Sequence, residues 1–180
     1  FNFLKKNEIF WVNNITPNPT TTSVKSIIKK IRNKKFNFII AYGGGSTIDT
    51  AKAIKLFSSL DKNYSIKKVI KNIQILKKAN HTKLIALPTT SGTGSEVTCY
   101  STIWDNRKKK KLSLNHSFLY PNYAVVDPEL TYDLGLDQTI YTGLDALNQA
   151  FESVWNKNST KTTLKYASQS IISGMRGLHI

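Results

Sequence analysis

The sequence has little cysteine, few acidic residues and no long apolar run. Its 180 residues hold one cysteine, Cys99, and one methionine. A lone cysteine excludes an intrachain disulfide framework and a cysteine-built zinc site, and makes a reducing, cytoplasmic setting the default expectation. No segment approaches the roughly eighteen apolar residues that would span a bilayer, and the N-terminus lacks a signal-peptide pattern, so a soluble intracellular protein is expected. Only 11 Asp and Glu oppose 26 Lys and Arg, a formal charge of +15. Such an excess suits a partner of polyanions, provided it forms a patch. Here the lysines are scattered in doublets such as Lys29-Lys30 and Lys67-Lys68, and only Arg107 to Lys111 forms a run of five. A solvated lysine-rich surface accounts for the charge. The rival reading, a basic nucleic-acid-binding protein, lacks a recognition helix or an RNA-binding signature.

What is present reads as a globular α/β chain, 40% hydrophobic and 11% aromatic. The opening stretch ends in the turn signal "NNITPNPT" and reads as the tail of something that began earlier. From Thr20, Val24, Ile27, Ile28 and Ile31 fall at helical spacing. "FNFIIAY", Phe36 to Tyr42, is predicted to be a strand buried on both faces, as parallel strands are. Glycines and a helix follow, which is half of a βαβ unit. A second helix is expected over residues 65–78 and a second buried strand over Lys83 to Leu87, ending at Pro88. Further strands are predicted at residues 97–104, 111–114 and 122–128, and helices take over from Tyr141. A boundary near residues 135–138 separates an α/β domain, 1–136, from the start of a helical one, 137–180.

Two loops carry the chemistry. In "AYGGGSTIDTAKAI" three glycines lead into a helix, and Ser46-x-x-Asp49 has the form of a capping box. Ile48, Ala51, Ala53, Ile54 and Phe57 spread over a wide arc, so this helix should pack on more than one side. Glycines let a ligand approach the backbone, and the free amides of a helix N-terminus attract an anion, a phosphate being the natural candidate. A tight turn without a ligand is the alternative, since G-G-G-S is neither G-x-G-x-x-G nor a P-loop. The second loop, "LPTTSGTGSEVT", leaves the C-terminal end of a buried strand, where open α/β sheets place their ligands, and is dense in hydroxyls and glycines. Together the loops point to a shared phosphate-containing ligand.

"GGGSTIDTAKAI", "LPTTSGTGSEVT", "YAVVDPELTYDL" and "TGLDALNQAFES", in this order, resemble the iron-containing (group III) alcohol dehydrogenase family. The resemblance implies an α/β dinucleotide-binding domain, Rossmann-like but lacking its first βα unit here, followed by the start of an all-helical metal-binding domain. It implies NAD or NADP as cofactor and a small alcohol or aldehyde as substrate, with hydride passing between carbinol carbon and nicotinamide. A homodimer would form at full length, with no membrane or nucleic-acid partner. Gly43, Gly44, Gly45 and Ser46 would cradle the cofactor pyrophosphate, with Asp49 bracing the loop. Thr89 and Thr90 would contact the cofactor, Ser95 and Val97 would line its path toward the nicotinamide, and Lys111 would face it. Cys99 has no role in this scheme and is expected to be a buried thiol.

Asp145 and Gln149 match the first two metal ligands of the family, an aspartate and a histidine that bind iron or zinc. Glutamine is a weaker, neutral oxygen ligand than imidazole, so metal affinity should fall. Thr142-x-x-Asp145 is also a capping-box form, an alternative role for Asp145. His179 is too close to Gln149 to match the family's remaining histidines, and His81 and His116 read as surface residues. The final "SGMRGLHI" departs from the amphipathic helix expected there. These departures imply a fragment, inactive alone, whose catalytic residues are not identifiable. "DALNQAFESVWNKNST" most resembles the phosphonoacetaldehyde reductase branch. Glycerol dehydrogenase-like or dehydroquinate synthase-like enzymes share the glycine loop and are the alternatives within the superfamily.

Overall fold

A computed structural model of the chain describes residues 9–31, 34–58, 60, 69 and 82–179. Helix α1 (Thr21–Ile31) leads to strand β1 (Phe38–Gly43), helix α2 (Gly45–Ser58) and strand β2 (Lys83–Pro88). Strands β3 (Tyr100–Asp105), β4 (Lys110–Asn115) and β5 (Tyr123–Ala124) follow, and the chain ends in helices α3 (Leu136–Trp155) and α4 (Lys161–Gly177). The helix expected over residues 65–78 and His81 lie outside the described residues, apart from Val69, which is buried. Among the described residues no helix is long and apolar enough to cross a membrane.

β1, β2 and β5 form a parallel sheet in the order β1-β2-β5, with Phe38 opposite Lys83 and Gly43 opposite Pro88. α2 covers one face of it and buries nine of its 14 residues, bearing out the two-sided packing expected of its apolar arc. Ile48 and Ala51 pack on Ala41, Leu84 and Ala86 of the sheet. Ala53, Leu56 and Phe57 turn instead to Val24 of α1, Ile103, Leu114 and Leu119. α1 opens with a reciprocal cap: the Thr20 amide donates to Ser23 Oγ and the Ser23 amide to Thr20 Oγ1, both at 3.0 Å.

Several expectations need correction. β1 is buried on one face only, since Phe38, Ile40 and Tyr42 stay about half exposed or more while Ala41 is buried. Local pattern cannot say what covers a strand. The strand expected from residue 97 begins at Tyr100, because Ser95–Val97 closes into a 3-10 turn. β3 and β4 leave the parallel sheet and pair with each other as an antiparallel hairpin. The strand expected over 122–128 is paired only at Tyr123–Ala124. Helical structure starts at Leu136 rather than Tyr141, with Gly135 as N-cap. Thr142 and Asp145 therefore sit inside α3, and Asp145 caps nothing. The C-terminal "SGMRG" is helical as well: a Cβ on Gly174 would stand 2.7 Å from Leu147 Cδ2, and one on Gly143 2.9 Å from Leu178 Cδ2. Gly174, one of the glycines that read as a break, and Gly143 of α3 let the two segments approach closely, whereas a Cβ on Gly177 would meet nothing within 4 Å.

Candidate functional site

β1 hands the chain to α2 through Gly43, whose φ of +150° favours glycine; a Cβ there would meet Thr47 Oγ1 at 2.6 Å. The Gly43 carbonyl accepts from the Thr89 amide at 3.2 Å, which joins the two loops at the C-terminal ends of β1 and β2. Beyond this junction the loops line a cleft of about 690 Å³ together with the 15–18 segment, the hairpin and α3. Gly44, Gly45, Ser46, Asp49, Thr90, Ser95 and Lys111 line it, as do Asp145 and Gln149. Gly43 and Thr89 lie behind the lining as the junction itself. Val97 is not in the cleft; it is 60% exposed, because the 3-10 turn points it outward.

The glycine loop is close-fitting. A Cβ on Gly44 would lie 3.1 Å from Thr90 Cγ2, and one on Gly45 3.0 Å from Thr93 Cγ2. Side chains at these positions would crowd the threonines of the second loop, so the backbone of the first turn of α2 faces them bare. Thr90 Oγ1 is buried and, among the described residues, has no hydrogen-bond partner. A buried hydroxyl of this kind calls for a ligand or a water. A bare helix N-terminus and an orphaned hydroxyl beside it fit an anionic oxygen, the group a pyrophosphate would bring.

Asp49 does not reach back to the first turn of α2, so the capping-box expectation is corrected. Its Oδ1 accepts from Ser95 Oγ at 2.7 Å and its Oδ2 from the Thr102 amide at 2.8 Å. The carboxylate thus ties α2 to the second loop and to β3. Ser46 Oγ accepts from the Asn18 amide at 3.1 Å, fastening the 15–18 segment to the same turn. Sequence reading missed Lys52, which is fully buried behind the cleft. Its Nζ donates to Ser95 Oγ at 3.1 Å, Thr98 Oγ1 at 3.2 Å and the Tyr100 carbonyl at 2.7 Å, with Asp49 Oδ1 at 3.9 Å. Burial pushes the Lys52 ammonium below its usual value, opposed by the charges of Asp49, Cys99 and Glu96. The i, i+3 spacing of Asp49 and Lys52 was the available signal. Trp104 of the lining was also missed, whereas Thr93 and Thr98 belong to the hydroxyl-dense loop expected there.

Cys99 is partly rather than fully buried, and its Sγ donates to Asn115 Oδ1 at 3.3 Å. His116 is half-buried and caps a short turn, its Nδ1 accepting from the Phe118 amide at 3.0 Å.

At the other wall, Gln149 Nε2 donates to Asp145 Oδ2 at 2.9 Å and to the Gly92 carbonyl at 3.3 Å. A metal ligand would offer the carbonyl oxygen of the amide and leave the carboxylate free. Among the described residues no group of three or more His, Cys, Asp or Glu could hold a metal ion. As these two side chains stand, they do not fit a metal ligand set.

The family model described as iron-containing alcohol dehydrogenase matches residues 2–128. The chain belongs to the iron-containing alcohol dehydrogenase family. 1-Propanol dehydrogenase PduQ of Salmonella typhimurium is 37% identical over 147 residues, covering 82% of this chain and 35% of that protein. An iron-containing alcohol dehydrogenase structure from Thermotoga maritima superposes with a TM-score of 0.84 at 31% identity, over 93% of this chain and 45% of that one. The structure of sulfoacetaldehyde reductase from Bifidobacterium kashiwanohense in complex with NAD+ gives a TM-score of 0.71 at 35% identity, over 89% and 45% of the two chains. The chain thus spans between about a third and a half of the lengths of these relatives. The family match covers both glycine-bearing loops and the hairpin, and ends before α3.

Proposed function

We propose that the cleft binds NAD or NADP, and that the protein interconverts a small alcohol and its aldehyde. The observation that carries the reading is the orphaned Thr90 hydroxyl beside the bare first turn of α2. In this reading Gly44, Gly45 and Ser46 would hold the pyrophosphate, with Thr90 and Ser95 adding hydroxyls and Lys111 a positive charge. Gly43 and Thr89 act one layer back, by fixing the junction of the two loops. When bound, the nicotinamide supplies or accepts the hydride. Asp49 and Lys52 hold Ser95 and the two loops in place. Relatives named as a propanol dehydrogenase and as a reductase bound to NAD+ support the assignment.

For the substrate we propose a short aldehyde bearing an anionic group, phosphonoacetaldehyde first. The sulfoacetaldehyde reductase likeness and the "DALNQAFESVWNKNST" stretch support it. The proposed setting is the cytoplasm and the proposed assembly a homodimer of the full-length protein.

Titration of the purified chain with NADH, followed by tryptophan fluorescence, is expected to give a Kd of about 1 mM or tighter. Salt-dependent binding to duplex DNA with no NADH signal would instead favour the nucleic-acid reading. Alcohol added to the same assay with NAD tests whether the 180 residues alone are inactive, as expected.

Thr90→Val separates binding from folding. Removing a buried hydroxyl that lacks a partner should raise stability by about 1 kcal/mol. The NADH Kd should rise about tenfold, the equivalent of one lost hydrogen bond. Loss of stability without loss of affinity in thermal melts and titrations would mean that the hydroxyl serves the fold.

A further inference from the structure

Gly92 and Gln149 meet across 57 residues of sequence at a point the dinucleotide reading leaves unused. Gly92 sits directly on the backbone of α3, where a Cβ would fall 1.9 Å from the Thr142 carbonyl oxygen. Seven residues further along α3, the Gln149 amide reaches back to the Gly92 carbonyl at 3.3 Å and to Asp145 Oδ2 at 2.9 Å. Both partners are acceptors, so the two protons of the amide nitrogen are each used, and the reverse orientation would set oxygen against two oxygens.

We propose that Gln149 is a positioning residue that latches the Gly92 turn to α3, and that Asp145 and Gln149 form a hydrogen-bonded strut rather than a pair of metal ligands. Asp145 fixes the amide, the amide fixes the Gly92 carbonyl, and Gly92 carries Thr90 and Thr93, the residues that face Gly44 and Gly45. The width of the phosphate end of the cleft is thereby set from α3. A neutral imidazole has a single N–H and could not serve both acceptors, so glutamine here is a change of task and not merely a weakened ligand. The effect on dinucleotide affinity rests on the function proposed above; the effect on the turn does not.

The purified chain and its Gln149→Glu variant are compared by hydrogen exchange, NADH titration and Zn²⁺ titration at neutral pH. Glutamate matches glutamine in size, donates no proton and is the better metal ligand, so the two roles predict opposite outcomes. The latch predicts about tenfold faster exchange in the peptide spanning residues 90–95, unchanged exchange in α4, and an NADH Kd raised about tenfold. Unchanged exchange in residues 90–95 overturns it, and tighter Zn²⁺ binding alongside that result assigns the pair to a metal. Should neither form bind NADH, the proposed function fails while the exchange of residues 90–95 still decides the latch. If the added charge accelerates exchange throughout the chain, Gln149→Met, similar in length and uncharged, is read by the same local criterion.

Discussion

Gly92→Ala is expected to destabilise the chain by about 4 kcal/mol, as backbone strain and overpacking each contribute about 1–3 kcal/mol. The new methyl would stand 1.9 Å from the Thr142 carbonyl oxygen and 2.7 Å from its carbon. Those are backbone atoms inside a 20-residue helix and cannot turn aside as a side-chain tip would. The φ of +135° adds strain of its own. The turn must therefore lift off α3, carrying Thr90 and Thr93 away from the glycine loop. For a chain of this size the melting temperature should fall by about 10 °C, and NADH binding should be lost. Gly94→Ala is the internal control. Gly94 is left-handed at φ +62°, but its Cβ would meet only Gln149 Oε1, at 3.9 Å. Its cost should be about 1–2 kcal/mol, with the turn still seated. Equal melting temperatures for the two variants would remove steric contact with α3 as the cause.

Asp49→Ala should cost about 3–5 kcal/mol, the range for breaking a buried pair from one side. The carboxylate accepts from Ser95 Oγ and the Thr102 amide while standing 3.9 Å from a fully buried ammonium. Without it, Lys52 keeps its three neutral acceptors but has no nearby anion, and the Thr102 amide loses its acceptor. Lys52→Met removes the charge that Asp49 offsets, so the double variant should be less destabilised than the sum of the singles by about 1–3 kcal/mol. Urea denaturation of the four proteins measures that coupling. Strict additivity would show that the two groups act separately, each through its own hydrogen bonds.

The order β1, glycine loop, α2 and β2 was legible because each part is written in a local pattern: a β-branched run, three glycines, a wide apolar arc, a second run. The capping box at Ser46 and Asp49 matched its pattern and still failed. Ser95 and Thr102, 46 and 53 residues away, hold the carboxylate oxygens instead. The C-terminal Gly174 failed the other way, since propensity disfavours glycine in a helix while close contact with Leu147 of α3 gives it a place there. Asp145 and Gln149 were legible as neighbours on one helix face, but the Gly92 carbonyl that completes their arrangement was not. Val97 was placed in the cleft by its position in a motif, whereas a short turn decides where it points. The convergence of the two loops could be read from the sequence, and the side-chain contacts that brace them, from Asp49, Lys52 and Gln149, could not.

The parallel pairing of β1 with β2 has a consequence in time. Parallel neighbours need a long crossover between them, here the stretch from Gly43 to Lys83. The loop-closure entropy of that crossover comes before any contact that rewards it, which makes such pairings slow to form. The junction between the Gly43 carbonyl and the Thr89 amide exists only after the two strands have paired. Among the described residues no single hairpin or helix contains a rudimentary version of the cleft. A nascent chain emerging as far as α2 would carry the glycine turn without its opposing wall, so a ligand cannot serve as a template for early folding and can only hold in place a pairing already made.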